Sequence, residues 1–327
     1  MSSRPQARKL RSSEMDTSVC LSVLDHIHTS FTSLGVDVEI NFTGGDPLLR
    51  RDIKELIAHA TEIGMTVGVL GNPGLLTEER ASELKNAGLQ AYQVSIDGME
   101  QTHDRIRGKK GAFRSAVRAI RLLNKTQIKT KVMFTLNRIN ANELIQVIEL
   151  VTREQVDVFA FARTVPIGAA SLEMSTFAPA EYRELLIQVD AIYSALEAQG
   201  VKTHFSRKDN LWRLLHWELG KFDPQIINDG IVRGGCSVGY KSLSILPEGI
   251  VYACPRLPIP IGDIHTQSIL DIFLESDTLE KLRRIEQHEK CSSCPLLLYC
   301  RGCPAMAYAV KGDYFAGDPQ CWRLIEE

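Results

Sequence analysis

A chain of 327 residues with 38 Lys+Arg against 40 Asp+Glu carries a net charge of −2, which leaves room for two domains and no basic surface of the kind nucleic acid demands. No apolar run is long enough to cross a membrane, and the polar, basic stretch from Met1 to Met15 lacks the apolar segment of a secretory signal. A soluble cytoplasmic protein is expected, with unevenly spread cysteines: Cys20 stands alone, and seven more lie from Cys236 to Cys321. In a cytosolic chain such clustering points to metal ligation rather than disulfides.

In chain order, Cys20, Leu24, Ile27, Phe31 and Leu34 share one face of a helix over 17–34. Asp16 or Thr17 caps it and Gly35 ends it, so Cys20 reads as a core thiol. Val36, Val38, Ile40 and Phe42 then alternate with polar residues as a strand, which runs into Thr43-Gly44-Gly45-Asp46-Pro47. The glycines let the backbone come close to a ligand, Asp46 can accept from a ligand ammonium, and Pro47 fixes the exit towards a helix carrying Ile53, Leu56, Ile57, Ala60 and Ile63.

A regular alternation follows. Strands read at about 36–42, 66–70, 90–96, 129–135 and 156–161, and helices at about 50–63, 77–86, 111–124 and 141–153. Units of this size favour a parallel sheet with crossover helices, whose ligands gather at the C-terminal ends of the strands. The residues found there are Gly71-Asn72-Pro73-Gly74, then Ser95 and Asp97, whose hydroxyl and carboxylate suit a ribose diol, then Asn137, and then Arg163 to Gly168. Any one of these turns alone reads equally well as a solvated loop.

Residues 180–199 make a further amphipathic helix, and 201–235 form a bridge without clear period in which Trp212, Leu215 and Trp217 pack onto the barrel. The cysteines then run Cys236, Gly249-x4-Cys254, Cys291-x2-Cys294, Cys300-x2-Cys303 and Cys321. Thiolates at CxxC spacing grip a metal from a tight turn; zinc is the plain alternative, but seven ligands do not divide into closed four-cysteine zinc sites.

The glycine turn resembles the GGEP motif of radical SAM enzymes, with Asp46 for the usual Glu. The course Ser95-Ile96-Asp97-Gly98, His103-Asp104, Ile106-Arg107-Gly108 and Gly111-Ala112-Phe113 resembles the same family. The cysteine course resembles the SPASM domain of its peptide- and cofactor-modifying members. The CxxC at Cys300–Cys303, with Gly312-Asp313 and Asp318-Pro319 ahead of Cys321, looks like the branch that acts on tetrapyrroles, and peptide maturases are close as well.

The resemblance implies an α/β fold: a partial parallel (β/α) barrel over 1–200, a bridge over 201–235 and a cysteine-rich SPASM domain over 236–327. It implies S-adenosylmethionine at Gly44, Gly45, Asp46, Pro47, Ser95, Asp97, Asn137 and Arg163. It implies two auxiliary 4Fe–4S clusters, the inner on Cys236, Cys254 and Cys303 and the outer on Cys291, Cys294, Cys300 and Cys321. A peptide or tetrapyrrole substrate and a reductant such as flavodoxin or ferredoxin complete the expected partners.

The family's CxxxCxxC, which holds the third 4Fe–4S cluster and binds S-adenosylmethionine, does not occur in these 327 residues. The expectation is therefore a barrel without its first strand, in a truncated and inactive chain. The alternatives are a paralogue without that cluster, serving as an iron–sulfur substrate-binding partner, and a zinc-binding structural protein.

Overall fold

The computed structural model describes residues 14–168, 176–224 and 231–323. Helix α1, Thr17–Thr32, starts where the Asp16 carboxylate accepts from the Val19 amide at 2.9 Å. It buries Leu24 and Ile27, while Leu34, expected on the same face, lies past the helix end and is exposed.

Six strands follow: β1 Glu39–Phe42, β2 Thr66–Leu70, β3 Ala91–Ser95, β4 Lys129–Leu136, β5 Val158–Arg163 and β6 His204–Ser206. All pair in parallel and in sequence order. With right-handed crossovers, that order puts every connecting helix on one face and curls the sheet around the other. The helices are α2 Ile53–Glu62, α3 Glu78–Asn86, α4 Glu100–Arg107, α5 Ala112–Thr126, α6 Leu144–Arg153, α7 Pro179–Ala198 and α8 Leu211–Glu218.

The two faces of the sheet differ sharply. Val67, Val69, Tyr92, Val94, Val132, Phe134, Phe159, Phe161 and Phe205 point towards the helices and are buried. They meet apolar stripes such as Ile53, Leu56, Ile57 and Ala60 of α2, and Ala116, Ala119, Ile120 and Leu123 of α5. The alternate residues, among them Glu39, Asn41, Gln93, Ser95, Lys131, Thr135 and Ser206, are polar and half-exposed or exposed. A closed barrel of this kind packs its interior with apolar layers; here the inner face is left open and polar.

Two expectations need correction. The first strand starts at Glu39, and Val36 is exposed outside it. The bridge over 201–235 is not outside the barrel: it contributes β6, paired with β5 from Val158 to Ala160, and then α8. Trp212 and Leu215 of α8 are buried in the core, as their apolar character implies.

The C-terminal part is built on antiparallel strands β7 Ser244–Ile245, β8 Ile250–Cys254 and β9 Leu257–Asp263. Helices α9 Ile269–Glu275, α10 Asp277–Arg283 and α11 Pro304–Lys311 follow. It rests against the start of the chain: Phe31 of α1 meets Phe273 of α9 edge-on at 5.5 Å, and the Met15 amide donates to Pro247 O at 2.8 Å.

Candidate active site

The glycine turn lies at the C-terminal end of β1. Gly44 has φ +117°, a conformation L side chains rarely adopt, whereas Gly45 does not, so backbone geometry requires glycine at the first position. A Cβ at either would meet no atom within 4 Å, so the space above the turn is open to a ligand.

Asp46 caps the 3₁₀ turn Pro47–Leu49 by accepting from the Leu48 amide at 3.1 Å. Its other oxygen, Oδ2, is buried without a hydrogen-bond partner among the described residues. Burial pushes the Asp46 carboxyl above the usual carboxylate range, against the Leu48 amide. A cationic ligand at Oδ2 would satisfy that orphaned acceptor, so the site fits an ammonium group. Gly71 has another purpose than the expected exposure of backbone: a Cβ there would lie 2.3 Å from the hydroxyl of buried Tyr92.

The other predicted residues divide. Ser95 stays on the open face at the end of β3, opposite Met133. Asp97 is turned inward and 2% exposed, which corrects its reading as a ribose ligand. One of its oxygens accepts from the Thr135 amide at 2.8 Å and the other from Arg107. Its amide donates to His103 Nδ1 at 2.9 Å, and its carbonyl accepts from Asn140 at 3.1 Å. Asp97 thus ties β3 to β4 and α4. Asn137 closes its own turn, its Oδ1 accepting from the Ile139 amide at 2.9 Å.

Arg163 is corrected in the same way. It is 2% exposed at the end of β5 and engages two carboxylates. Its Nε donates to Asp209 at 2.7 Å, and Nη1 and Nη2 donate to the two oxygens of Asp318 at 2.9 and 2.8 Å. Gln320 Oε1 accepts from Nη1 at 2.8 Å, and the guanidinium lies over the Tyr182 ring at 4.8 Å. Asp318 in turn accepts from the Cys303 amide at 3.0 Å. Arg163 is therefore committed to joining β5 to the loops that carry Cys303 and Cys321. Asp209, Asp318 and Gln320 could have been marked only as polar residues near a cysteine or a strand end.

The seven C-terminal thiols lie in two neighbourhoods. Cys291, Cys294, Cys300 and Cys321 line one cavity, walled by Leu211, Leu214 and Leu296. Burial pushes Cys291 up to about 12, helped by Cys321 and Cys294, and burial also raises Cys300. In the second group burial raises Cys236, with Cys254 adding to it. Burial pushes Cys303 up to about 12, where Arg256 opposes and Cys236 adds. Such thiols stay protonated at neutral pH unless a metal displaces the proton.

A tetrahedral zinc site needs sulfurs about 3.8 Å apart, given bonds of about 2.3 Å. Among the described residues no group of three or more His, Cys, Asp or Glu side chains converges closely enough to hold a single ion. Four cysteines around one cavity fit a larger, multi-iron object instead. Donors to sulfur are already present: the Gly302 amide to Cys300 at 3.5 Å, the Arg256 amide to Cys254 at 3.4 Å, and Arg323 to Cys294 at 2.6 Å.

The two groups share a loop. Arg301, between Cys300 and Cys303, has φ +61° and donates to Leu297 O, Gly234 O and Cys236 O at 3.1, 2.8 and 3.1 Å. Gly235 allows that approach, since a Cβ there would lie 2.3 Å from Cys300 O.

Residues 21–151 match the radical SAM superfamily, and residues 236–295 match the iron–sulfur cluster-binding domain called SPASM. The chain belongs to the radical SAM/SPASM family. An AdoMet-dependent heme synthase of Methanosarcina barkeri is 29% identical over 90% of this chain and 85% of the relative. One from Nitratidesulfovibrio vulgaris is 29% identical over 89% and 80%. The sporulation killing factor maturation protein SkfB of Bacillus subtilis is 27% identical over 72% of this chain and 52% of its own length. Streptococcus suis SuiB bound to its precursor peptide SuiA superposes with TM-score 0.72 at 17% identity, covering 93% of this chain and 69% of SuiB, which is a likeness of fold.

These matches support a radical SAM enzyme and give no support to a truncated, inactive chain, so that expectation is dropped. Cys20, half-buried on α1, donates to Met15 O at 3.8 Å and faces Arg50 at 3.7 Å, as a core thiol would. Among the described residues no helix is long and apolar enough to cross a membrane.

Proposed function

We propose that this radical SAM/SPASM protein acts on a tetrapyrrole of the iron-porphyrin type. The observation that carries this reading is the extent of the sequence matches: relatives named heme synthase and Fe-coproporphyrin III synthase align over 88–94% of the chain. The peptide-modifying relative SkfB aligns over 72%. A peptide substrate is the second reading, favoured by the likeness of fold to SuiB.

In this reading the Gly44–Gly45 turn, Asp46 and Pro47 bind the methionine part of S-adenosylmethionine, with Asp46 Oδ2 accepting from its ammonium. Ser95 faces the ribose from the open side of β3. The outer four thiols hold one 4Fe–4S cluster and the inner three a second, with an open or non-cysteine fourth site. When bound, such clusters supply one-electron transfer or an iron that takes substrate. No residues here fit the cluster that cleaves S-adenosylmethionine in the family, since the sequence holds no CxxxCxxC. The roles assigned to the chain's own residues are binding, orientation and exclusion of water. A small electron donor such as a flavodoxin or ferredoxin would supply the auxiliary clusters.

The test is anaerobic reconstitution with iron and sulfide, then titration with iron coproporphyrin III and, separately, with a precursor-type peptide, followed by porphyrin absorbance and calorimetry. Saturable binding of the porphyrin supports the reading. Binding of the peptide in place of the porphyrin selects the second reading. Binding of neither overturns both.

A further inference from the structure

Arg301 is a buried cation that holds no carboxylate. It is 5% exposed, and among the described residues its guanidinium pairs with no Asp or Glu. Its partners are the carbonyls of Leu297, Gly234 and Cys236, at 3.1, 2.8 and 3.1 Å, and the face of the Tyr240 ring at 5.5 Å. Buried charges are ordinarily matched by an opposite charge, because carbonyl dipoles alone do not replace the lost hydration. Arg163, buried to the same degree, holds both Asp209 and Asp318. Asp318, which lines the outer thiol cavity, is thereby committed elsewhere.

The backbone at Arg301 is unusual as well. Among the described residues, Gln127, Gln155 and Arg301 are the non-glycine positions with positive φ. Gln127 and Gln155 follow the ends of helices α5 and α6, where chains commonly turn this way. Arg301, at φ +61°, lies in the loop between Cys300 and Cys303. Strain of this kind persists where the surroundings over-determine it, and it gathers at functional sites. Here it aims the side chain into the wall between the two thiol groups. Arg301 lines the cavity of Cys291, Cys294, Cys300 and Cys321, and it reaches Cys236 O of the inner group. Thiolates that hold an iron–sulfur cluster bring net negative charge to both sides of that wall.

We propose that Arg301 is a counter-charge shared by the two cluster sites, which raises the reduction potential of each by favouring its more negative, reduced state. The proposal rests on the reading of the seven thiols as two cluster sites.

The test is an EPR-monitored redox titration of the anaerobically reconstituted full chain, with iron and sulfide counted for every variant. Arg301→Gln keeps an amide donor for the carbonyls and removes the charge. It should hold both clusters, while the reduced-to-oxidised ratio of each at a fixed potential falls about tenfold, or about 59 mV for one electron. Arg301→Lys keeps the charge and should stay within about threefold of the parent. Lys290 lines the outer cavity too but is exposed, so Lys290→Gln should move the outer cluster less than about twofold and leave the inner one unmoved.

Unchanged potentials in a fully loaded Arg301→Gln overturn the proposal, as does a shift confined to one cluster. If Arg301→Gln loses iron, Arg301→Lys decides: both clusters held at parental potentials support the shared charge, and any other result makes Arg301 a clamp on carbonyls and overturns it. Zinc without sulfide in the parent removes the cluster reading and the shared charge together. Two clusters in the parent, with unmoved potentials in Arg301→Gln, remove the shared charge alone.

Discussion

At Arg163 a single side chain carries two ion pairs in a place water does not reach. A guanidinium suits this position because its planar fork serves both oxygens of Asp318 and still presents Nε to Asp209. Arg163→Gln would leave two buried carboxylates facing each other, and breaking a buried pair from one side costs about 3–5 kcal/mol. Urea unfolding of the variant should show a loss of that order; a loss under about 1 kcal/mol, the size of an exposed pair, would mean that the cluster is not a buried unit. The glycine turn gives a second residue-level prediction. Gly44→Ala forces φ +117° on an L side chain and should cost about 1–3 kcal/mol. Gly45→Ala meets no atom within 4 Å, so it should keep stability while its methyl intrudes on the open space above the turn. Calorimetry with S-adenosylmethionine should then separate the two: weakened binding in a stable protein for Gly45→Ala, and lowered stability for Gly44→Ala.

Among the elements, those with a long period were legible in the sequence and those set by a partner were not. Helices α2, α5 and α6 each announce an apolar stripe, and β2 to β5 each announce a run, because burial against one face leaves that imprint. Strand β6 has three residues and one buried side chain, Phe205; its pairing with β5 defines it, and no local pattern does. The glycine turn was legible because Gly44 depends on local backbone geometry, and the thiol groups because cysteine spacing is itself a signature. Arg163 and Asp97 were misread: a charged residue at a strand end has the same appearance whether it meets a ligand or a buried partner 155 residues away, as Arg163 meets Asp318. Helix α4 shows how such a partner confers pH dependence. Its His103 accepts from the Asp97 amide, and burial lowers its pKa, with Asp97 and Asp104 opposing and Arg107 assisting. The folded chain thus binds fewer protons than the unfolded one below about pH 6.5. The stability His103 confers is complete above that pH and is lost as the pH falls towards its folded value. His103→Gln keeps an acceptor without a titrating ring, so its unfolding free energy should fall less between pH 7 and pH 5. Identical slopes for the two proteins would rule this out.

Over the whole molecule, barrel and cysteine-rich part are joined by contacts that converge on the thiols. Arg163 holds Asp318, which binds the Cys303 amide, and Cys300 Sγ lies 3.3 Å from Asn210 O at the start of α8. Because Cys300 and Cys303 sit on one loop in different groups, the two proposed clusters would share a wall yet have separate ligand sets. Two 4Fe–4S clusters predict about eight irons per chain after anaerobic reconstitution. Cys294→Ala removes a ligand from the outer group alone, so it should leave about four irons, held by Cys236, Cys254 and Cys303. Cys254→Ala should leave the outer four thiols loaded, with a similar iron count but a different low-temperature EPR signal, since the donors differ: Arg323 to Cys294 in the outer group and the Arg256 amide to Cys254 in the inner one. Stoichiometric zinc without sulfide, or one variant that loses all its iron while the other loses none, would show that the seven thiols do not form two independent cluster sites.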